Sequence, residues 1–266
     1  MSTAIASLDD PRVAGYRQIA DHRALGAAGV FVAEGRLVVR RLLALPRWIV
    51  QSVLVTQPAL DQLRGVVAAL PHPPPIYLVP QPLMNQIAGF HIHRGCLALA
   101  NRPADLDMNA ACVATARRVL LLEGVNNPDN VGGLFRSAAA FGADVVLLGP
   151  DCGDPLYRKA VRTSMAATLS VPFRRAGSWP DAITTLRSHG FTVMALTPGA
   201  DAVTLADTPA GTDRIAVLVG AEGSGLSQAA LDAASLRVRI PMTALVDSLN
   251  VTTAASIAMY HAFTPD

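Results

Sequence analysis

The sequence predicts an α/β protein. Residues 117–266 read as a mostly parallel sheet with helices on both faces, and residues 1–105 as a smaller α/β domain. Three observations carry this. Apolar residues make up 51% of the chain and charged ones only 16%, so material for buried cores is ample and disorder is disfavoured. Strand-like and helix-like stretches alternate along the chain. In the C-terminal half the strand-like runs are almost continuously apolar, as strands covered on both faces are. At 266 residues the chain is comfortable for two domains.

Each element follows from its local pattern. Residues 12–45 read as a helix, an apolar bridge at Val30–Ala33, and a second helix carrying Arg36, Arg40 and Arg41. SVLVT (52–56) is a short strand and PALDQLRGVVAAL a helix. PHPPP is a stiff break, IYLVP a strand, QPLMNQIAG a short helix, and HRGCLALA a closing strand. The following stretch lacks periodicity, and residues 106–116 read as a linker. From Arg117 the alternation tightens. RVLLLEGV is a strand, NVGGLFRSAAAFGA a helix and DVVLLG a strand; DPLYRKAVRTSMAAT is helical and leads to SVPF. WPDAITTLRSHG is a helix, FTVMALT and RIAVLVG are strands, a helix follows LSQAAL, and RVRIP is the last strand. A helix from about Leu249 to Ala262 ends the chain.

Composition narrows the setting. The net charge is +2, and Lys159 is the only lysine among otherwise arginine cations. Arginine's planar fork suits phosphate, although a GC-rich genome produces the same bias. Cys96, Cys112 and Cys152 have no metal-like spacing and cannot all pair, which favours a reducing, cytoplasmic setting. The N-terminus carries early acids and no long apolar run, so it does not read as a secretory signal. No apolar stretch reaches spanning length before charge or proline interrupts it.

Three stretches hold the polar residues that could do chemistry, each where an apolar run breaks into a turn and then a helix. That is where open α/β sheets bind ligands. The first, LLLEGVNNPDNVGGLFRSAAAFGA (120–143), has helix-start chemistry, with Arg136 six residues after Asn130. Alone it is also what a capped helix with a surface arginine looks like. The second, VLVGAEGSGLS (217–227), resembles a phosphate cradle, but its glycine spacing fits no standard one and Glu222 would repel phosphate. It suits a cationic or neutral ligand, or is simply a turn. In the third, RIPMTALVDSLNVTTAASIAMYHA (239–262), Ser248 is a plausible N-cap, and Asn250, Thr252, Thr253 and Ser256 make the start of an apolar helix unusually polar.

In order and spacing, N-x₅-R, GAEGSGLS and IPM…VDSLNV resemble the three motifs of the SpoU (TrmH) family of RNA ribose 2′-O-methyltransferases, in the SPOUT superfamily. The resemblance covers roughly residues 118–263. FVAEGRLVVRRLL and its surroundings look, more loosely, like the ribosomal-protein-like substrate-binding domain that often precedes the catalytic one. The sequence departs from the family pattern at two usual glycines, replaced by Ala244 and Ala166.

The resemblance implies a trefoil-knotted C-terminal domain, bound S-adenosyl-L-methionine and a homodimer formed through the knot and final helix. It places Leu196, Thr197, Gly220, Ile240, Met242 and Leu249 at the cofactor. It makes Arg136 catalytic, with Asn130, Glu222, Ser248 and Asn250 around it. Because arginine stays protonated, Arg136 is expected to bind a phosphate and steady an incipient alkoxide rather than act as a base. Glu222 is expected to orient Arg136 or a neighbouring backbone group. Arg36, Arg40 and Arg41 could contact RNA phosphates, or form a solvated helix face; His91 and His93 are ordinary turn residues sooner than RNA contacts. Ribosomal RNA is expected over transfer RNA. The alternative is a non-catalytic RNA-binding or ribosome-assembly protein that keeps the fold; intact polar motifs argue against it. The missing G-x-G-x-x-G argues against a Rossmann nucleotide enzyme.

Overall fold

The structure, a computed structural model, describes residues 2–17, 19, 21–104, 106, 108–209, 213–243 and 245–263. The chain separates into two compact units, Met1–Ala104 with Leu156–Leu169, and Asp105–Pro155 with Ser170–Asp266.

The first unit opens with β1 (Ser2–Ala4) and a 3-10 turn at Pro11–Tyr16, then α1 (His22–Ala27), β2 (Val30–Glu34), α2 (Arg36–Leu43) and β3 (Val50–Val55). α3 (Gln57–Ala68), β4 (Ile76–Leu78), α4 (Gln81–Ala88) and β5 (Cys96–Asn101) follow. The strands lie in the order β1-β4-β3-β5-β2. β1, β4 and β3 run parallel, while β5 is antiparallel to both β3 and β2. The helix expected after Arg12 is broken because two aspartates start separate turns. Asp10 accepts from Arg12 N, and Asp21 from Arg23 N and Ala24 N, each satisfying first-turn N–H groups. Tyr16, Val32, Leu54, Met84, Ile87 and Leu97 pack in the core.

The second unit begins with α5 (Ala110–Thr115), β6 (Arg118–Leu122), α6 (Pro128–Ala140) and β7 (Val145–Leu148). An excursion carries α7 (Arg158–Thr163) and α8 (Ala167–Ser170). Then come β8 (Phe173–Arg175), α9 (Asp181–Ser188), β9 (Thr192–Leu196), β10 (Val203–Thr204), β11 (Ile215–Val219), α10 (Gln228–Ala233), β12 (Leu236–Arg239) and α11 (Val251–Phe263). Seven strands form one sheet in the order β10-β12-β9-β11-β6-β7-β8, with every neighbouring pair parallel. β6, β7 and β11 bury nearly all their side chains, which explains their unbroken apolar sequences. The stretch expected as a linker is partly helical: α5 starts on an Asn109 cap, and Val113 and Ala116 join this unit's core.

The excursion packs with the first unit. Its expected helix breaks after Thr163, because Met165 and Ala166 hold φ of 54° and 68°. Ala166 is fully buried, and Arg41 donates from its guanidinium to the Met165 carbonyl. Glu34, buried at the end of β2, pairs with Arg158 and lies 3.6 Å from Arg162. Among the described residues no helix is long and apolar enough to cross a membrane.

Candidate active site

Parallel strands emit their following loops from one edge of the sheet. The register pairs Val219 with Leu122 and Leu196 with Val238, so β6, β9, β11 and β12 end close to level. The loops after β9, β11 and β12 surround a cavity of about 380 Å³. Leu196, Thr197, Gly220, Ile240, Met242 and Leu249 all line it, as do Glu222, Ser248 and Asn250. Three separated stretches of sequence thus meet in one place. Sequence reading missed Pro198, Val238 and Ala254, which also line the cavity and carry no polar signal.

The loop after β11 is shaped by its glycines. A Cβ on Gly220 would lie 2.3 Å from the carbonyl carbon of Gly225, so the loop folds back onto itself only because that atom is missing. Gly225 N donates to Ala221 O at 3.0 Å across the fold, and Gly223 and Gly225 take φ of 90° and 68°. The loop is a tight turn that presents backbone to the cavity.

Polar residues gather at the start of α11. Asn250 Oδ1 accepts from Thr252 N at 3.0 Å, so Asn250 caps this helix and the expected Ser248 cap is not formed. Asn250 Nδ2 donates to Glu222 Oε1 at 2.7 Å and to Asn130 Oδ1 at 3.0 Å. One amide therefore ties all three motifs. Ser248 lies exposed at the cavity. Helices α6 and α11 meet closely because Gly133 has no side chain; a Cβ there would sit 2.8 Å from Thr252 Cγ2. Ser137 and Ser256 hydroxyls bond at 2.7 Å across the same contact.

Arg136 stands apart. It lies on α6 with Asn130, but six residues turn it about 240° around the helix, away from that face. It is exposed, its side chain makes no hydrogen bond among the described residues, and it does not line the cavity. Among the described residues Glu222 and Arg136 make no hydrogen bond or ion pair with each other; Glu222 Oε1 accepts from the Asn250 amide.

Near the end of β6, burial pushes the Cys152 thiol up, and Cys152 Sγ donates to Leu122 O at 3.2 Å. The adjacent Glu123 went unread in the sequence, though an acid closing an apolar strand is itself a signal of a satisfied buried carboxylate. In the first unit Arg36 is half-buried, Arg40 exposed and Arg41 bound to Met165 O; the exposed His91 and His93 rings lie 4.6 Å apart. Ala244 lies outside the described residues. Among those residues no group of three or more His, Cys, Asp or Glu side chains is placed to hold a metal.

The chain is similar to known proteins along nearly its whole length. A Mycobacterium tuberculosis relative named as an uncharacterised tRNA/rRNA methyltransferase is 43% identical over 258 residues, 95% of this chain and 88% of its own. The Bacillus subtilis 23S rRNA (guanosine(2553)-2′-O)-methyltransferase RlmP is 27% identical over 259 residues, 97% of this chain and 98% of its own. An AdoMet-bound rRNA methyltransferase structure from Sinorhizobium meliloti superposes with a TM-score of 0.80, covering 98% of this chain and 97% of that one at 23% identity. That likeness shows the fold. The SpoU rRNA Methylase family model matches residues 117–260, the segment that contains all three loops and the cavity between them. The chain belongs to the SpoU rRNA methylase family.

Proposed function

We propose that this protein transfers a methyl group from S-adenosyl-L-methionine to a ribose 2′-hydroxyl in structured RNA, ribosomal RNA before transfer RNA. The observation that carries the reading is the single cavity walled by the second and third polar motifs and the loop after β9, with Asn250 bonding Asn130 of the first motif to Glu222 of the second. Leu196, Thr197, Gly220, Ile240, Met242 and Leu249 would hold the donor. Mixed apolar walls and exposed loop backbone fit a small ligand with flat apolar faces and polar edges. The Glu222 carboxylate at the rim fits a cationic one. When bound, the donor supplies an activated methyl group on a sulfonium.

The remaining chemistry falls to the chain's own residues. Arg136 binds the phosphate next to the target ribose and steadies negative charge developing on the hydroxyl oxygen. A preorganised cation of this kind contributes several kcal/mol, on the order of 3. Arg136 passes no proton, so an RNA phosphate or water receives it. Asn130, Asn250 and Ser248 orient the ribose, with Glu222 fixing the Asn250 amide. Ile257 and Tyr260 on α11, with Leu245 and Val246 in the preceding loop, leave apolar surface exposed, which supports a homodimer through this helix. A second copy would then bring its Arg136 to a neighbouring cavity. The first unit selects the RNA, with Arg36 and Arg40 contacting phosphates. Three free cysteines fit a reducing, cytoplasmic setting.

The experiment is a comparison of 2′-O-methyl maps of ribosomal and transfer RNA from cells with and without this protein. Loss of one ribosomal site is the expected outcome. A loss confined to transfer RNA overturns the substrate preference, and unchanged maps overturn the activity.

A further inference from the structure

Glu123 sits just past the end of β6 and turns its side chain inward, leaving 8% of the residue exposed. Its carboxylate accepts three hydrogen bonds. Trp179 Nε1 donates to Oε1 at 2.6 Å, Ser227 Oγ to the same oxygen at 2.7 Å, and Ser227 N to Oε2 at 2.9 Å. All three donors are neutral, and no ion pair forms with Glu123 among the described residues. The backbone N–H of Glu123 donates to Val219 O at 2.9 Å.

Those partners are not scattered. Val219 is the last residue of β11, where the glycine loop begins, and Ser227 is the N-cap of α10, where it ends. Ser227 Oγ also accepts from Ala230 N at 3.2 Å, so it serves the helix and the carboxylate at once. Between these two feet the loop supplies Gly220, Ala221, Glu222, Gly223 and Gly225 to the cavity wall. Gly220 packs against the Gly225–Leu226 peptide, so a shift at Ser227 is passed directly to Gly220. From the same loop Glu222 reaches Asn250.

We infer that Glu123 is a positioning residue for the methyl-donor pocket, a single residue that holds both feet of the loop walling it, one through its backbone N–H at Val219 and the other through its carboxylate at Ser227. The inference rests on the donor reading proposed above for the cavity. The clamp depends on two oxygens that accept, since all three side-chain contacts are made by donors converging on them. Glu123→Gln keeps the shape but turns one acceptor into an NH₂ group. That group faces a donor, and a mispaired buried donor costs more than a missing bond. Glu123→Asp is one methylene too short to reach both Trp179 and Ser227 and does not rescue.

The test is amide hydrogen exchange on the donor-free full-length protein, with donor binding followed by calorimetry. In E123Q, exchange over residues 220–227 should rise by about tenfold while α6 and β7 keep wild-type protection. In a W48F background, which leaves Trp179 as the sole tryptophan, its emission should shift. S-adenosylmethionine affinity should fall by about tenfold with RNA affinity unchanged, and E123Q/S227A should lose less donor affinity than the two single losses combined. Unchanged exchange over 220–227 overturns the clamp, as does a rise shared equally by the whole sheet. Exchange confined to the loop with unaltered donor affinity overturns its role in the pocket. If the wild-type protein itself does not bind the donor, the reading of the cavity fails, and the exchange data still decide the clamp.

Discussion

The two halves of the proposed site are built on opposite terms. The donor half is complete within the chain: three loops close about 380 Å³, and the glycine loop is held at both ends. The acceptor half is an exposed arginine whose side chain has no hydrogen-bond partner among the described residues. A small ligand gains most from a wall already in place, because little ordering cost remains at binding. A large anionic ligand brings its own phosphates, so the protein need only offer a cation that reaches them. On the proposed reading, recognition of the donor rests on backbone geometry and the hold on the RNA phosphate at the reacting ribose rests on exposed charge.

The comparison can be broken from either side. The largest effect on the donor half should come from Gly220→Ala. The new methyl would meet backbone atoms rather than a flexible side chain, and overpacking costs about 1–3 kcal/mol. Calorimetry should show donor affinity lower by up to about a hundredfold. Asn250→Ala comes next because it touches both halves, removing a helix cap and freeing Glu222 and Asn130 together. Thermal or denaturant unfolding should show a loss of about 1 kcal/mol, and transfer should fall by more than donor binding does. A smaller effect, remote from both halves, is expected for Arg41→Ala. The Met165 carbonyl loses its donor at an exposed contact, so stability should drop by about 0.5–1 kcal/mol with donor affinity unchanged. Smallest is Ala166→Gly. Relief of a left-handed backbone, about 1–2 kcal/mol, is offset by a lost buried methyl and a more flexible unfolded chain, so stability should move by less than about 1 kcal/mol.

Much of this was legible because period and turn chemistry agree. The strands LLL, VVLL and IAVLV are too apolar to be anything but buried, and all lie inside one parallel sheet. The six residues expected at the donor were named by the family resemblance, and all six line the cavity. Local reading failed where a distant group decided the outcome. DPLYRKAVRTSMAAT has helical periodicity, but a turn held by Arg41 breaks it at Met165 and Ala166. The two-residue β10 has too little sequence to carry a pattern. Ser248 looked like the cap because it precedes the helix, yet Asn250, one residue before Val251, is the group that reaches its first turn. Glu123 carried a local hint in closing an apolar strand, but its partners were out of reach of local reading, because its three donors come from residues more than fifty positions away.

The most direct test takes the two halves apart in one protein. Arg136→Ala should be assayed for methyl transfer to ribosomal RNA and, on the same preparation, for S-adenosylmethionine binding by calorimetry. Transfer should fall by about 10²–10³-fold, the loss of a preorganised charge at the reacting oxygen, while donor affinity stays within about twofold of wild type. Near-normal transfer, or loss of donor binding in step with activity, would contradict the division of the site.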